Sequence, residues 1–238
     1  MPWCISMEQK IDLQNFSGNL PLFPLPHVVL FPNTMLPLHI FERRYRKMLK
    51  ATLKGEKMIG IAVLKPGWEE NYEGNPEIYP AACMGTILKH EHLHDGRSNV
   101  LLLGLKRVKI KNIVTPLPYR TASVAIMEDC CEGLDPADVK DFRRKLLHNY
   151  SEYVIEFAGT GKKFPTLSNS KIDLSYLIDA IASSIGLPIE ELVRLLEEIH
   201  VGKRAEYVLK RMEVQLKKGG PKVTFNHVAE DFPRLHLN

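Results

Sequence analysis

Three histidines, His90, His92 and His94, recur at every second position immediately before Asp95. On a β-strand this spacing turns all three imidazoles to one face, where neutral ring nitrogens can share a zinc ion. The neighbouring Asp95-Gly96 pair is hairpin-turn chemistry, and a turn that begins at His94 swings the third ring away. The cluster therefore reads either as the site of a metal-dependent enzyme or as the exposed polar end of a strand. The second reading is preferred, so no metal and no cofactor is expected.

A second group with chemical promise is AGTGKKF at 158–164. A phosphate-cradling loop needs a glycine five residues before its Gly-Lys pair and a hydroxyl residue after it; here those positions hold Glu156 and Lys163. Nucleotide binding is rejected on that ground. Cys83 sits in an apolar run, and Cys130 and Cys131 are adjacent, a spacing that bridges poorly. All three read as inert thiols. No GxSxG nucleophile elbow occurs, so the sequence assembles no catalytic constellation.

The elements that would position these residues fall into two classes. From Leu20 to Ile40 the chain carries Pro21, Pro24, Pro26, Pro32 and Pro37 among large apolar residues. Proline fixes φ and removes a backbone donor, so this stretch predicts short bent strands at a sheet edge or a barrel seam. The period then changes. Phe41, Tyr45, Met48, Leu49 and Leu53 fall on one face of a helix, with Arg43, Arg44, Arg46, Lys47 and Lys50 facing outward. MIGIAVL at 58–64 predicts a strand covered on both faces. The loop that follows holds Trp68 and Tyr72, rings that either bind a ligand or pin the loop. Strands are expected around 82–92, 100–103, 107–110 and 121–129, and Gly104 marks a bulge or a close backbone crossing. Ala122, Val124 and Ile126 are expected to point inward. About six strands and one helix with few open edges imply closure into a small barrel.

After Leu134 the pattern is helical. Asp135-Pro136 supplies an N-cap and a first-turn proline. Apolar stripes follow on four segments: Val139 to Phe157, Leu174 to Ile185, Leu192 to Ile199 and Val201 to Leu216. A polar linker separates the first two, and the expected outcome is an antiparallel four-helix bundle. The fold class is thus α+β, with an N-terminal arm at 1–19, a β-barrel at 20–129, a helical bundle at 134–218 and a flexible tail at 219–238.

Bulk properties are consistent with a folded protein. The chain has 238 residues, 45% of them hydrophobic, and a formal net charge of +4. There is neither a secretory leader pattern nor an apolar run of about 18 residues, so a cytoplasmic location without membrane partners is expected. Basic residues cluster at 43–57, at 106–111 and at 143–145, but without interleaved aromatic residues they read as solvated faces.

Three strings in order carry a resemblance. LPLFPLPHVVLFPNTMLPLHIFERRYRKM at the start, DGRSNVLLLGLKRVKI at 95–110 and DAIASSIGLPIEELVRLLEEIHVGKRAEYVLKRM at 179–212 resemble the N-terminal substrate-recognition domain of Lon-type ATP-dependent proteases. The resemblance spans about 20–218 and implies a PUA-like barrel. It also implies a module that recognises unfolded or partner polypeptides, acts beside a separate ATPase or protease, and does no catalysis itself. Such a receptor needs an apolar surface beside a polar rim. Leu36, Leu38, Phe41 and Tyr45 are the candidate binding residues, with Arg107 as polar anchor. Core packing competes at each position, above all at Leu38 and Phe41. The alternatives are a nucleic-acid-binding PUA-like module and an enzyme using His90, His92 and His94.

Overall fold

The computed structural model of the chain describes residues 13, 16–72, 74–157, 167 and 172–219. Two compact units meet in sequence between Met127 and Glu128. The first is built on six strands: β1 (Asn19–Leu25), β2 (Met35–Ile40), β3 (Met58–Leu64), β4 (Ile78–His92), β5 (Ser98–Thr115) and β6 (Thr121–Met127), with helix α1 (Arg43–Lys54) between β2 and β3. The second holds α2 (Pro136–Phe157), α3 (Leu174–Ser184), α4 (Ile189–Glu197) and α5 (Val201–Lys218).

The strands pair in the order β2, β5, β4, β3, β1, β6, and β6 pairs again with β5. Five strands therefore close into a ring of hydrogen bonding, and β2 lies beside the first half of β5. The prolines sit where the sequence predicts, at a seam and at an edge. β1 pairs with β6 as far as Pro21 and in parallel with β3 from Leu22, while Pro37 lies in the terminal strand of the order. Leu20, Leu22, Met58, Ala62, Ala82, Met84, Val108 and Ala122 form the core of this unit, and all seven residues of β3 are buried.

The 18-residue β5 is one strand where the sequence suggests two. Its first half pairs with β2 and its second with β6, and Gly104 lies between. The Gly104 N–H donates to Thr34 O at 2.9 Å, and its own carbonyl accepts from the Asn33 N–H at 2.8 Å. A Cβ there would stand 2.1 Å from the Phe31 carbonyl oxygen, so only glycine admits this crossing.

In the second unit the stripes of α2, α3 and α5 are buried through Leu146, Tyr150, Tyr153, Leu177, Ile178, Ile181, Ala205, Val208 and Met212. Asp135 Oδ1 accepts from the Ala137 and Asp138 N–H groups, which caps α2. Gly186 takes a φ of 67° after α3. The segment 158–166, with its AGTGKKF string, lies outside the described residues, as do most of the expected arm, linker and tail.

Three expectations need correction. Phe41 precedes α1, whose N-cap is Glu42, and the residue is 58% exposed. Ile126 is exposed rather than inward, since β6 adds a strand to β5 with only Ala122 and Val124 turned to the core. Cys131 is disulfide-bonded, so it is no free thiol; Cys83 and Cys130 are free, and Cys83 is buried.

Candidate functional site

Alternation along β2 separates a buried from an open face. Leu38 and Ile40 pack inward opposite Val100 and Ser98, with Leu36 half-buried opposite Leu102. Met35, Pro37 and His39 take the other face, opposite Leu103, Leu101 and Asn99. Met35 is 61% exposed, and Pro37, Leu101 and Leu103 are half-buried. With Phe41 just past the end of β2, these residues make an apolar strip on the open side of the sheet. Leu88, the extra residue where the β4–β5 register shifts, is also exposed.

A polar row closes one end of the strip across three strands. His39 Nδ1 and Asn99 Oδ1 are 2.8 Å apart, and Asn99 Nδ2 donates to Glu91 Oε2 at 3.1 Å. Because the Asn99 oxygen can only accept, His39 carries its proton on Nδ1, which leaves Nε2 to accept from Arg97 Nη1 at 3.4 Å. Arg97 also pairs with Asp95 at 2.5 Å. The His39 ring stacks on Phe41 with centroids 6.1 Å apart, which joins the polar row to the apolar strip.

Of the five residues proposed from sequence, Phe41 lies on this surface, and Leu36 is half-buried on the opposite, inward face of β2. Leu38 and Tyr45 are buried, and Arg107 is 1% exposed with its guanidinium 5.8 Å from the Phe31 ring centroid. Those three pack. Phe41, expected among the most structural, is instead the most exposed of the five, because the helix begins only after it. Met35 and Pro37 were within reach of sequence reasoning: strict alternation with buried Leu38 and Ile40 points them outward, whereas Leu101 and Leu103 join them through the β2–β5 register.

A second cluster surrounds the start of α1. Arg44 Nε donates to Glu42 Oε2 at 2.9 Å, and the Tyr72 hydroxyl donates to Glu42 Oε1 at 2.6 Å. The Arg44 guanidinium also reaches Tyr72 O at 3.3 Å and stands over the rings of both Tyr45 and Tyr72. Trp68, on a short 3₁₀ turn, meets Tyr72 edge-on at 5.5 Å. The two rings pin the loop. Burial pushes the Tyr45 hydroxyl up to about 12, and burial followed by the Glu42 hydrogen bond raises Tyr72.

The histidine run is split by the hairpin. His90 and His92 end β4, each ring 3.4 Å from Ser98 Oγ, with centroids 6.5 Å apart, while His94 is in the turn. Burial and then the His92 charge lower the pKa of His90. Among the described residues no group of three His, Cys, Asp or Glu side chains could hold a metal ion. The arrangement on the open sheet face suits association: apolar surface to be covered, rimmed by oriented donors and acceptors.

Residues 19–214 match the family model described as the ATP-dependent protease La (LON) substrate-binding domain. Lon protease 1 of Hydrogenovibrio crunogenus is 30% identical over 210 residues, 87% of this chain and 25% of the relative. Lon protease of Flavobacterium johnsoniae is 27% identical over 215 residues, 89% of this chain and 26% of the relative. The chain thus spans about a quarter of the length of these relatives. A Lon N-terminal domain protein from Xanthomonas campestris shares the fold with a TM-score of 0.57 at 20% identity, covering 81% of this chain and 97% of that one. The N-terminal domain of Mycobacterium avium complex Lon protease does so at 0.60 and 16%, covering 82% and 98%.

Proposed function

This chain belongs to the LON substrate-binding domain family, and from that premise we propose that it is a polypeptide-recognition module that binds unfolded or partner proteins without cleaving them. The observation that carries this reading is the open face of β2 and β5. Met35 and Phe41 are mostly exposed, half-buried Pro37, Leu101 and Leu103 lie on the same face, and the His39–Asn99–Glu91 row borders them. Unfolded chains display apolar segments and unpaired backbone amides, and both find partners on such a surface.

The same reading takes the ring of strands as a small PUA-like barrel, the four helices as a bundle, and the cytoplasm as the place of action beside a separate ATPase or protease. No helix among the described residues is long and apolar enough to cross a membrane. Residues 19–214 match the substrate-binding domain model, and this reading gives ATP turnover and peptide cleavage to a separate partner.

The test is titration of a fluorescently labelled, reduced and carboxymethylated α-lactalbumin with the purified chain, in parallel with the native form, while cleavage and ATP consumption are followed. Saturable binding of the unfolded form alone, with substrate and nucleotide intact, is expected. Absence of binding, or cleavage by the chain itself, overturns the reading.

A further inference from the structure

β2 is the terminal strand of the order, so only one of its edges is paired. The phase of that pairing is set where the strand begins. The Gly104 N–H donates to Thr34 O at 2.9 Å, and the register from Met35 opposite Leu103 to Ile40 opposite Ser98 follows without a shift. In an antiparallel ladder alternate residues turn their backbone groups to the partner. Leu36, Leu38 and Ile40 therefore bond to β5, while the N–H and C=O of Met35 and His39 and the C=O of Pro37 point to the open edge. Pro37 fits this phase, because it has no N–H to give to β5. Among the described residues no other segment bonds to these backbone groups.

The open edge is short and defined at both ends. Asn33, at a φ of 60°, closes one end, and the N-cap of α1 at Glu42 closes the other. The strand between them spans roughly 20 Å, which admits about six residues of an extended chain. Unpaired N–H and C=O groups at strand spacing are matched by another extended backbone. A second copy of β2 matches poorly. Two antiparallel copies centred on Pro37 set two carbonyls face to face with no N–H between them, whereas a foreign strand with an amide at that position donates to the Pro37 carbonyl. The apolar strip runs alongside, since Met35 and Pro37 share the open face with half-buried Leu101 and Leu103.

We propose that the edge of β2 takes an extended apolar segment of the bound polypeptide as an added strand, paired backbone to backbone along residues 35–39, with alternate side chains of the segment beside the apolar strip. The proposal rests on the polypeptide-recognition reading and specifies its mode. The segments selected are those that extend readily, with β-branched or aromatic residues at alternate positions and no proline facing β2.

The first measurement is amide hydrogen exchange of the full chain, followed by NMR. In the free protein the Met35 and His39 amides exchange at least about tenfold faster than those of Leu38 and Ile40, and saturation with a capped heptapeptide alternating valine and threonine slows them. Unchanged exchange on saturation overturns the proposal. Slow exchange before peptide is added also overturns it: the edge is then already taken, by a second copy if the protein sediments as a dimer and by another segment of this chain if it sediments as a monomer. The second measurement compares two N-methylated forms of the peptide, one blocked at the valine amides and one at the threonine amides. Each edge of a strand uses alternate amides, so one form binds at least about tenfold more weakly than the other. Loss in the valine form identifies antiparallel pairing, and loss in the threonine form identifies parallel pairing. Equal affinity of the two forms overturns the proposal. If unfolded α-lactalbumin binds while the peptides do not, or bind equally, the recognition reading stands and the added strand does not. If neither α-lactalbumin nor peptide binds, the recognition reading falls as well.

Discussion

Arg204 Nη1 donates to Asp179 Oδ1 at 2.8 Å, and neither side chain is more than 1% exposed. The same guanidinium reaches Asp129 Oδ1 at 2.7 Å and Ser175 Oγ at 2.9 Å through Nη2. This network ties α5 and α3 to the segment before α2, where Cys130 and His200 also form a backbone bridge. Removing the guanidinium leaves the Asp179 carboxylate buried without this partner, while Asp129, 26% exposed, still meets water. Arg204→Ala is expected to cost about 3–5 kcal/mol, read as a fall in the urea midpoint with an unchanged slope. A loss under about 1 kcal/mol would show that the network contributes little.

Asp173 caps α3 by accepting from the Ser175 N–H at 2.8 Å. Burial raises its pKa, the Ser175 hydrogen bond opposes that rise, and the charges of Asp129 and Asp179 add to it. A carboxyl group whose folded-state pKa lies above the unfolded value destabilises the folded state above that pKa, and the effect vanishes below the unfolded pKa. Asp173→Asn keeps an accepting oxygen for the cap and removes the charge. It should raise the urea midpoint at pH 7, with a gain that fades as pH falls through the carboxylate range. A variant less stable than wild type at pH 7 would contradict this assignment.

Gly104→Ala places a methyl group against the Phe31 backbone, at 2.1 Å from its oxygen and 2.9 Å from its carbon. A backbone neighbour cannot rotate away, so β5 must separate from the turn at Asn33 and Thr34. The expected cost is about 3 kcal/mol by urea denaturation. Gly55→Ala, whose added methyl group would meet its nearest atom at 3.7 Å, serves as the control and stays within about 1 kcal/mol of wild type.

These positions also show what the sequence could convey. Gly104 betrayed the crossing because glycine inside an apolar strand pattern has few other reasons to be there. The stripe of Tyr45, Met48 and Leu49 placed α1, and Asp135-Pro136 placed the start of α2, since both signals are local. Arg107 and Arg204 were illegible: charge suggests exposure, and what buries each is supplied by residues distant in sequence, Phe31 for one and Asp129 and Asp179 for the other. Phe41 misled for a related reason. Its spacing fits the helical stripe, yet the helix begins at Arg43 and leaves the ring beside His39 on the open sheet face. The candidate site was therefore half visible, through β2 alternation, and half hidden in the register that brings Leu101, Leu103, Asn99 and Glu91 alongside.

The most direct test of recognition by that face is the affinity of the Met35→Ser/Phe41→Ser double variant for the labelled unfolded α-lactalbumin. Both side chains are mostly in water in the free protein, so stability should be unchanged, while apolar area available for binding is lost. The account predicts an affinity at least about tenfold weaker than wild type, with the same urea midpoint. Undiminished binding by the folded double variant would contradict it.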